Sequence, residues 1–194
     1  MMTTIYLTDC NWLADNLALA CTEPHLDEQR RSRIRRLRSP LKKAQCAAAG
    51  LLLKHCFGDN TVYCYGPYGK PYLENGNSYF SIAHSNNLVI LAVSDTEIGA
   101  DIQVISPIRP SVLRRCFTDA EQDYIGTDAT RFTELWVQKE AYAKHTGRGL
   151  TAPYSTPPTG TGLSRYTCHY QDACIAVFGD DTAQIIPING KDLL

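Results

Sequence analysis

Three groups of residues in this chain have types and spacings that could do chemistry. The first is the run Phe132-Thr-Glu-Leu-Trp-Val-Gln-Lys-Glu-Ala-Tyr-Ala-Lys-His-Thr-Gly147. At 3.6 residues per turn, Phe132, Leu135, Trp136 and Ala143 share one side. Glu140 follows Trp136 by four residues, and Lys144 follows Glu140 by four. A carboxylate and an ammonium therefore border the apolar stripe on neighbouring turns. Lys144 and His145 fall in the last turn, where the helix dipole favours cations, and Gly147 and Gly149 can stop the helix through a left-handed residue. Spacing alone favours a core helix with a surface Glu–Lys pair, worth only about 0.3–0.5 kcal/mol.

The second group centres on Asp101, inside Ile98-Gly-Ala-Asp-Ile-Gln-Val-Ile105. Strand alternation puts Ala100, Ile102 and Val104 on one face and Asp101, Gln103 and Ile105 on the other. A carboxylate in so apolar a strand needs a cation, a metal or hydrogen bonds. The third group is Arg30, Arg31, Arg33, Arg35, Arg36 and Arg38, which leave only Ile34 and Leu37 of that helix to face a core. Such a run can be a solubilising face. The density of guanidinium points instead to an anion site, because arginine forks pair with phosphate oxygens.

The elements that must position these groups are legible in outline. The chain has 194 residues, 44% hydrophobic and 20% charged, with a net charge of −1. That length suits one large domain or two small halves, and any anion site must be a local patch. No apolar run approaches the roughly 20 residues of a membrane span, and the N-terminus does not read as a secretion signal. The eight cysteines are scattered without a C-x-x-C pair, which argues for reduced thiols in a cytoplasmic protein rather than disulfides or zinc.

The pattern predicts a strand at Ile5–Leu7 and helices over Asn11–Ala20, Asp27–Ser39 and Leu41–Cys56. Pro40 ends or restarts the helical run. Strands follow at Val62–Tyr65, Tyr79–Ile82, Leu88–Val93 and Ile98–Ile105, with an Asn86-Asn87 hairpin turn. Gly66-Pro-Tyr-Gly-Lys-Pro71 is a turn that holds Lys70 where it can reach a ligand. Ser111–Cys116 reads as helical, and Thr118 with Glu121 forms a capping box for the next helix. Thr151–Gly162 reads as a loop, and Tyr166–Tyr170, Ala173–Phe178 and Gln184–Ile188 as three closing strands. The class is α+β, with antiparallel hairpins dominating.

Trp136-x-x-Lys139-Glu140-Ala141-x-x-Lys144-x-x-Gly147 resembles the signature of the 4′-phosphopantetheinyl transferases. Gly69-Lys70-Pro71, Phe80-Ser-Ile-Ala-His-Ser85 and Ile98-Gly-Ala-Asp-Ile102 match the family in the same order, and Phe117-Thr-Asp-Ala-Glu121 looks like the segment the family places next. The resemblance spans roughly residues 69–150. It implies a pseudo-twofold pair of α+β halves, here residues 1–95 and 96–194, with coenzyme A in the cleft between them. It implies transfer of the 4′-phosphopantetheine arm to a serine of an apo acyl- or peptidyl-carrier protein, releasing adenosine 3′,5′-bisphosphate. Asp101 and Glu140 would hold magnesium, or manganese in its place, with Gln103 as a third, uncharged ligand. Glu140 would also accept the serine proton, and Lys144 would stabilise the phosphate charge. Lys70 and His84 would contact the nucleotide end of coenzyme A. Arg30 and Arg33, by position in the basic helix rather than by motif, are assigned to the 3′-phosphate. The role of Lys139 is undefined by the motif.

The sequence departs from the family pattern in three places. Gln103 stands where the family usually has a second acid, and Ala83 where it usually has serine. No arginine lies near Cys46, so Arg38, Lys42 or Lys43 would substitute for it. These departures favour the main alternative, a weakly active or non-catalytic homologue that still binds coenzyme A or a carrier protein. A nucleic-acid binder using the Arg30–Lys43 run is disfavoured by the near-zero net charge and the lack of interleaved aromatics. A membrane partner is not expected. The length suits the larger, surfactin-type, single-chain subfamily, expected to act as a monomer.

Overall fold

The computed structural model describes residues 2–22, 25–59, 62–74, 76–148 and 162–194. The elements are β1 (Thr3–Asp9), α1 (Leu13–Ala20), α2 (Glu28–Arg36), α3 (Pro40–Phe57), β2 (Tyr63–Tyr65), β3 (Pro71–Leu73), β4 (Tyr79–Ser85), β5 (Leu88–Ser94), β6 (Gly99–Val104), α4 (Pro110–Cys116), α5 (Asp119–Ile125), α6 (Ala129–Thr146), β7 (Arg165–Tyr170), β8 (Ala173–Phe178) and β9 (Ala183–Pro187), with a 3₁₀ turn at Gly190–Leu193. The class is mixed α+β, as the pattern predicts. The predicted loop from Thr151 and the glycine at 149 lie outside the described residues, save Gly162.

The helix boundaries follow from local chemistry. Asp27 caps α2 by accepting from the Arg30 amide at 2.7 Å. Ser39 caps α3, with Pro40 at its first turn, where a missing N–H is harmless. Pro40 therefore restarts the helical run rather than merely ending it. Thr118 and Glu121 form the capping box of α5. Asp128 caps α6 by accepting from the amides of Thr130 and Arg131.

Two sheets face each other. One has the order β4-β5-β1-β9, the other β6-β8-β7, and β2 pairs with β3 in a separate ribbon. β1 is antiparallel to β5 but parallel to β9. The last predicted strand thus does not close a hairpin with its predecessors; it returns to the first sheet. A shared core joins the sheets: Ile5, Leu7, Ile90 and Ala92 meet Ala100, Ile102, Ile175 and Val177. α1, α2 and α3 cover the outer face of the first sheet, with Leu51 and Leu52 packed among Val89 and Leu91. α6 covers the outer face of the second through Val137 and Ala141 against Cys174, Ala176 and Phe178. The order of layers is helix, sheet, sheet, helix. All eight cysteines are free. No described helix is long and apolar enough to cross a membrane.

β4 and β6 meet along a seam. The Ala100 amide donates to Ser81 Oγ and the Val104 amide to Ser85 Oγ, both at 2.9 Å and both at a sequence separation of 19. The constant offset means that the two strands run in the same direction. Serine hydroxyls stand where a ladder would use carbonyls, so buried β6 amides are satisfied.

β6 also lies against the backbone of α6. A Cβ at Gly99 would stand 2.1 Å from the His145 nitrogen and 2.2 Å from the Ala141 oxygen. Gly99 and Ala141 are small because helix and strand backbones touch there. Gly99→Ala is expected to destabilise the fold by about 1–3 kcal/mol or more through overpacking. Urea denaturation measures this; a wild-type midpoint would show that α6 can retreat without loss.

Candidate functional site

The contact between β6 and α6 puts Asp101 under the last turns of the helix. Asp101 is nearly buried, and Lys144 Nζ donates to its Oδ1 at 2.7 Å. The same ammonium donates to the backbone oxygen of Ile82 on β4 at 3.2 Å. Lys144 therefore bridges the seam between the sheets. Of the partners that Asp101 requires, the structure supplies the cation. Burial raises the Asp101 carboxyl above its ordinary pKa, while Lys144 and the Ile102 amide pull it partly back. α6 ends one turn later at Gly147, whose left-handed φ of 65° accommodates no side chain comfortably.

Asp101, Glu140 and Lys144 line one cleft of about 420 Å³, together with Arg30, Arg33, Lys42 and His84. The cleft thus combines two carboxylates with four cations. Gly69, Pro71, Ile82 and Ala83 supply uncharged wall. Ala83 offers no hydroxyl where a phosphate donor would be useful.

Arg30, assigned from the sequence to the 3′-phosphate, is withdrawn from solvent. It is 4% exposed, packs over the Tyr63 ring at 5.3 Å and approaches Cys46 Sγ at 3.9 Å. Its Nε is buried without a hydrogen-bond partner. That nitrogen lies against Gly50 of α3, while the residue itself lines the cleft. Arg33 is exposed and donates to Tyr65 Oη at 3.2 Å. Lys42 lines the cleft; Arg38 and Lys43 do not. Among the three proposed substitutes for an arginine near Cys46, the geometry selects Lys42.

His84 keeps an open face to solvent, but the cleft walls strip part of its water, and Lys42, Lys144 and Arg33 surround it with positive charge. These effects disfavour the imidazolium and lower its pKa to about 4. At neutral pH the ring is uncharged and can both donate and accept.

Three sequence expectations meet different surroundings. The Lys70 ammonium donates to Glu97 Oε1 and to the His145 backbone oxygen, each at 2.8 Å. Its neighbours Gly69 and Pro71 line the cleft, but Lys70 borders an adjoining hollow instead. Gln103 is likewise not brought to the cleft wall. Its amide nitrogen donates to Ser85 Oγ at 3.1 Å and to the Val104 oxygen at 3.2 Å, so it serves the seam. Lys139 turns away from Glu140 into the interior. It pairs with Glu121 at 2.9 Å, with side-chain exposures of 1% and 12%, and lies over the Phe117 ring. That placement gives the unexplained lysine a structural function: it ties α6 to the capped start of α5.

Two contributors carried no signal in the sequence. Gln45 of α3 is buried in the cleft wall, donates to the Asn86 oxygen at 2.6 Å and leaves its own Oε1 without a partner. The Ile82 carbonyl that receives Lys144 is a backbone group, which no residue type announces.

Residues 97–176 match the family model of the 4′-phosphopantetheinyl transferase superfamily. The matched segment is 80 of the 194 residues. The chain is 35% identical over 92 residues to the 4′-phosphopantetheinyl transferase Sfp of Bacillus subtilis, covering 44% of this chain and 41% of that protein. It is 31% identical over 103 residues to the 4′-phosphopantetheinyl transferase gsp of Aneurinibacillus migulanus, covering 50% and 43%. It is 28% identical over 146 residues to the 4′-phosphopantetheinyl transferase AcpT of Escherichia coli, covering 70% and 75%. The matches to Sfp and gsp thus span less than half the length of those relatives.

Two outcomes follow from this geometry. A proton that the unfolded chain accepts near pH 6.5 is resisted by folded His84 down to about 4. The stability this residue contributes is therefore intact above pH 6.5 and lost as pH falls toward 4. NMR titration is expected to give the His84 ring a midpoint near 4, and a midpoint at 6.5 would contradict the described surroundings. Lys139→Met is expected to cost about 3–5 kcal/mol by leaving Glu121 buried without its cation. A calorimetric melt within one degree of wild type would refute the structural role.

Proposed function

We propose that the chain transfers the 4′-phosphopantetheine arm of coenzyme A to a serine hydroxyl of an apo acyl- or peptidyl-carrier protein. The observation that carries this reading is the shared cleft, in which Asp101, Glu140 and Lys144 stand with Arg30, Arg33, Lys42 and His84. A ligand with a diphosphate and a separate phosphate needs two zones of compensating charge, and this wall offers both.

In the reaction, the serine oxygen forms a bond to the β-phosphorus of coenzyme A. The bond from that phosphorus to the bridging oxygen breaks, and adenosine 3′,5′-bisphosphate departs. Glu140 takes the serine proton, directly or through water. Lys144 holds the charge that develops on the phosphate oxygens and the leaving group. Arg30, Arg33 and Lys42 hold the 3′-phosphate, and neutral His84 hydrogen-bonds at the nucleotide end. Lys70 serves the nucleotide end indirectly, by fixing the Gly69–Pro71 wall.

The donor set suits magnesium. Asp101 and Glu140 provide oxygen donors only, and among the described residues no group of three or more His, Cys, Asp or Glu could hold a metal. Two carboxylates with phosphate oxygens and waters are what magnesium ordinarily takes, and manganese accepts the same donors. The ion, when bound, supplies charge neutralisation to the diphosphate. Gln103 contributes to the seam in this account rather than to the ion. We place the chain in the larger, surfactin-type subfamily, as a cytoplasmic monomer of two pseudo-equivalent halves, residues 1–95 and 96–194. The first sheet draws β4, β5 and β1 from the first half and the second sheet lies wholly in the second, which supports that division, although β9 of the second half crosses to the first sheet.

The test incubates the protein with an apo carrier protein, coenzyme A and magnesium and reads the carrier by mass spectrometry. A gain of one phosphopantetheine is expected. Glu140→Gln is expected to slow it by about 10²–10⁴-fold with an unchanged circular dichroism spectrum. Coenzyme A binding without any mass gain would instead establish a binding-only homologue, the reading that Ala83 and Gln103 favour.

A further inference from the structure

A second ammonium ties distant elements together beside the cleft. Lys70 stands between β2 and β3, and its Nζ donates to Glu97 Oε1 and to the His145 carbonyl of α6, each at 2.8 Å. Glu97 lies on the link from β5 to β6, where the chain passes from the first sheet to the second. The His145 carbonyl belongs to the last turn of α6, where the helix end favours a cation. The Lys70 stem runs over Gly147, where an added Cβ would stand 3.3 Å from Lys70 Cδ.

This bridge stands between two hollows. The smaller, of about 190 Å³, adjoins the cleft at Gly69, Pro71, Ile82 and Lys144, which line both. The larger, of about 540 Å³, lies among Tyr68, Tyr72 and Tyr79. Lys70 borders both hollows, whereas Glu97 borders only the larger. The ammonium is thus drawn toward Glu97, and the smaller hollow is walled by the lysine stem rather than by its charge.

The pair does little for stability. The Glu97 side chain is 56% exposed, and exposed ion pairs contribute little. The backbone of Glu97 is fixed independently: a Cβ at Gly179, just beyond β8, would stand 2.2 Å from the Glu97 oxygen. The carboxylate can therefore be removed without moving the link that carries it. Lys70 in turn holds the Glu97 carboxyl below its ordinary pKa, so the pair is charged at neutral pH.

We propose that Glu97 is a positioning residue for the nucleotide end of coenzyme A: with the His145 carbonyl it turns the Lys70 ammonium away from the smaller hollow, which receives an uncharged part of the ligand. The identity of that ligand rests on the transferase reading above. Glu97 acts through Lys70 and touches no ligand itself. Without it, the long lysine side chain must be ordered when the ligand binds, and its charge intrudes on a group that has none.

The experiment measures, by calorimetry, the binding of two fragments of coenzyme A to the full chain: adenosine 3′,5′-bisphosphate for the nucleotide end and 4′-phosphopantetheine for the arm. Glu97→Ala is expected to weaken the bisphosphate about three- to tenfold, the cost of ordering one long side chain, and to leave phosphopantetheine within about twofold. Glu97→Gln keeps an acceptor oxygen and is expected to recover part of the loss. In a Lys70→Met background, Glu97→Ala is expected to have no further effect, because the two residues act as one unit. In turnover, the coenzyme A KM rises while kcat and the carrier KM stay within about twofold. Thermal melts within about 3 °C of wild type check the fold, and Glu97→Gln carries the test if Glu97→Ala unfolds the chain. Unchanged bisphosphate binding by a folded variant, equal weakening of both fragments, or additive effects of the Glu97 and Lys70 substitutions overturns the proposal. Glu97-dependent bisphosphate binding without transfer by wild type would keep the role of Glu97 and reject the transferase reading. Transfer by wild type with binding indifferent to Glu97 would reject that role alone, and failure of wild type to bind either fragment would overturn both.

Discussion

One ammonium holds the site together. Lys144 donates to Asp101 on β6 and to the Ile82 carbonyl on β4, two strands of different sheets. Without it a nearly buried carboxylate would lack its cation, and the seam would lose its link beside the cleft. The position is possible only because Gly99 lets α6 rest directly on β6. A larger residue would lift the helix and move Glu140 and Lys144 away from Asp101. The spacing of Gly99 and Asp101 in the strand, and of Glu140, Ala141 and Lys144 in the helix, is therefore one constraint written in two places.

Charge is distributed unevenly for the same reason. Lysines that look alike in the sequence have different duties. Lys139 is an interior tie to Glu121, Lys70 clamps a wall loop to Glu97 and the end of α6, and Lys144 faces the cleft. Neutral His84 adds hydrogen-bonding capacity without further repulsion among the cations. Arg30 Nε is buried without a hydrogen-bond partner, a cost to internal stability.

Much of this was legible in the residues. The strand pattern separated Asp101 from Ala100 and Ile102, and the capping box at Thr118 and the left-handed stop at Gly147 stand as their chemistry requires. Local signals of period and capping survive because they concern neighbours in the chain. What was not legible depended on distant partners. Arg30 was assigned to an anion by its place in the basic run, but that run does not announce Tyr63 and Cys46, which bury it. Gln103 shares the Asp101 face, but Ser85 of β4 claims its amide. Lys70 sits in a turn of Gly and Pro, and only tertiary packing reveals Glu97 beside it. β9 pairs with β1 across nearly the whole chain, a register that no local pattern encodes.

We propose that Asp101 and Glu140 together serve a diphosphate through a divalent ion. Calorimetric titration of coenzyme A into the protein, with and without magnesium, tests it most directly. The account predicts that magnesium tightens coenzyme A binding and that Asp101→Asn and Glu140→Gln each abolish that coupling. Binding of equal strength with and without magnesium, or coupling that survives both substitutions, would contradict it.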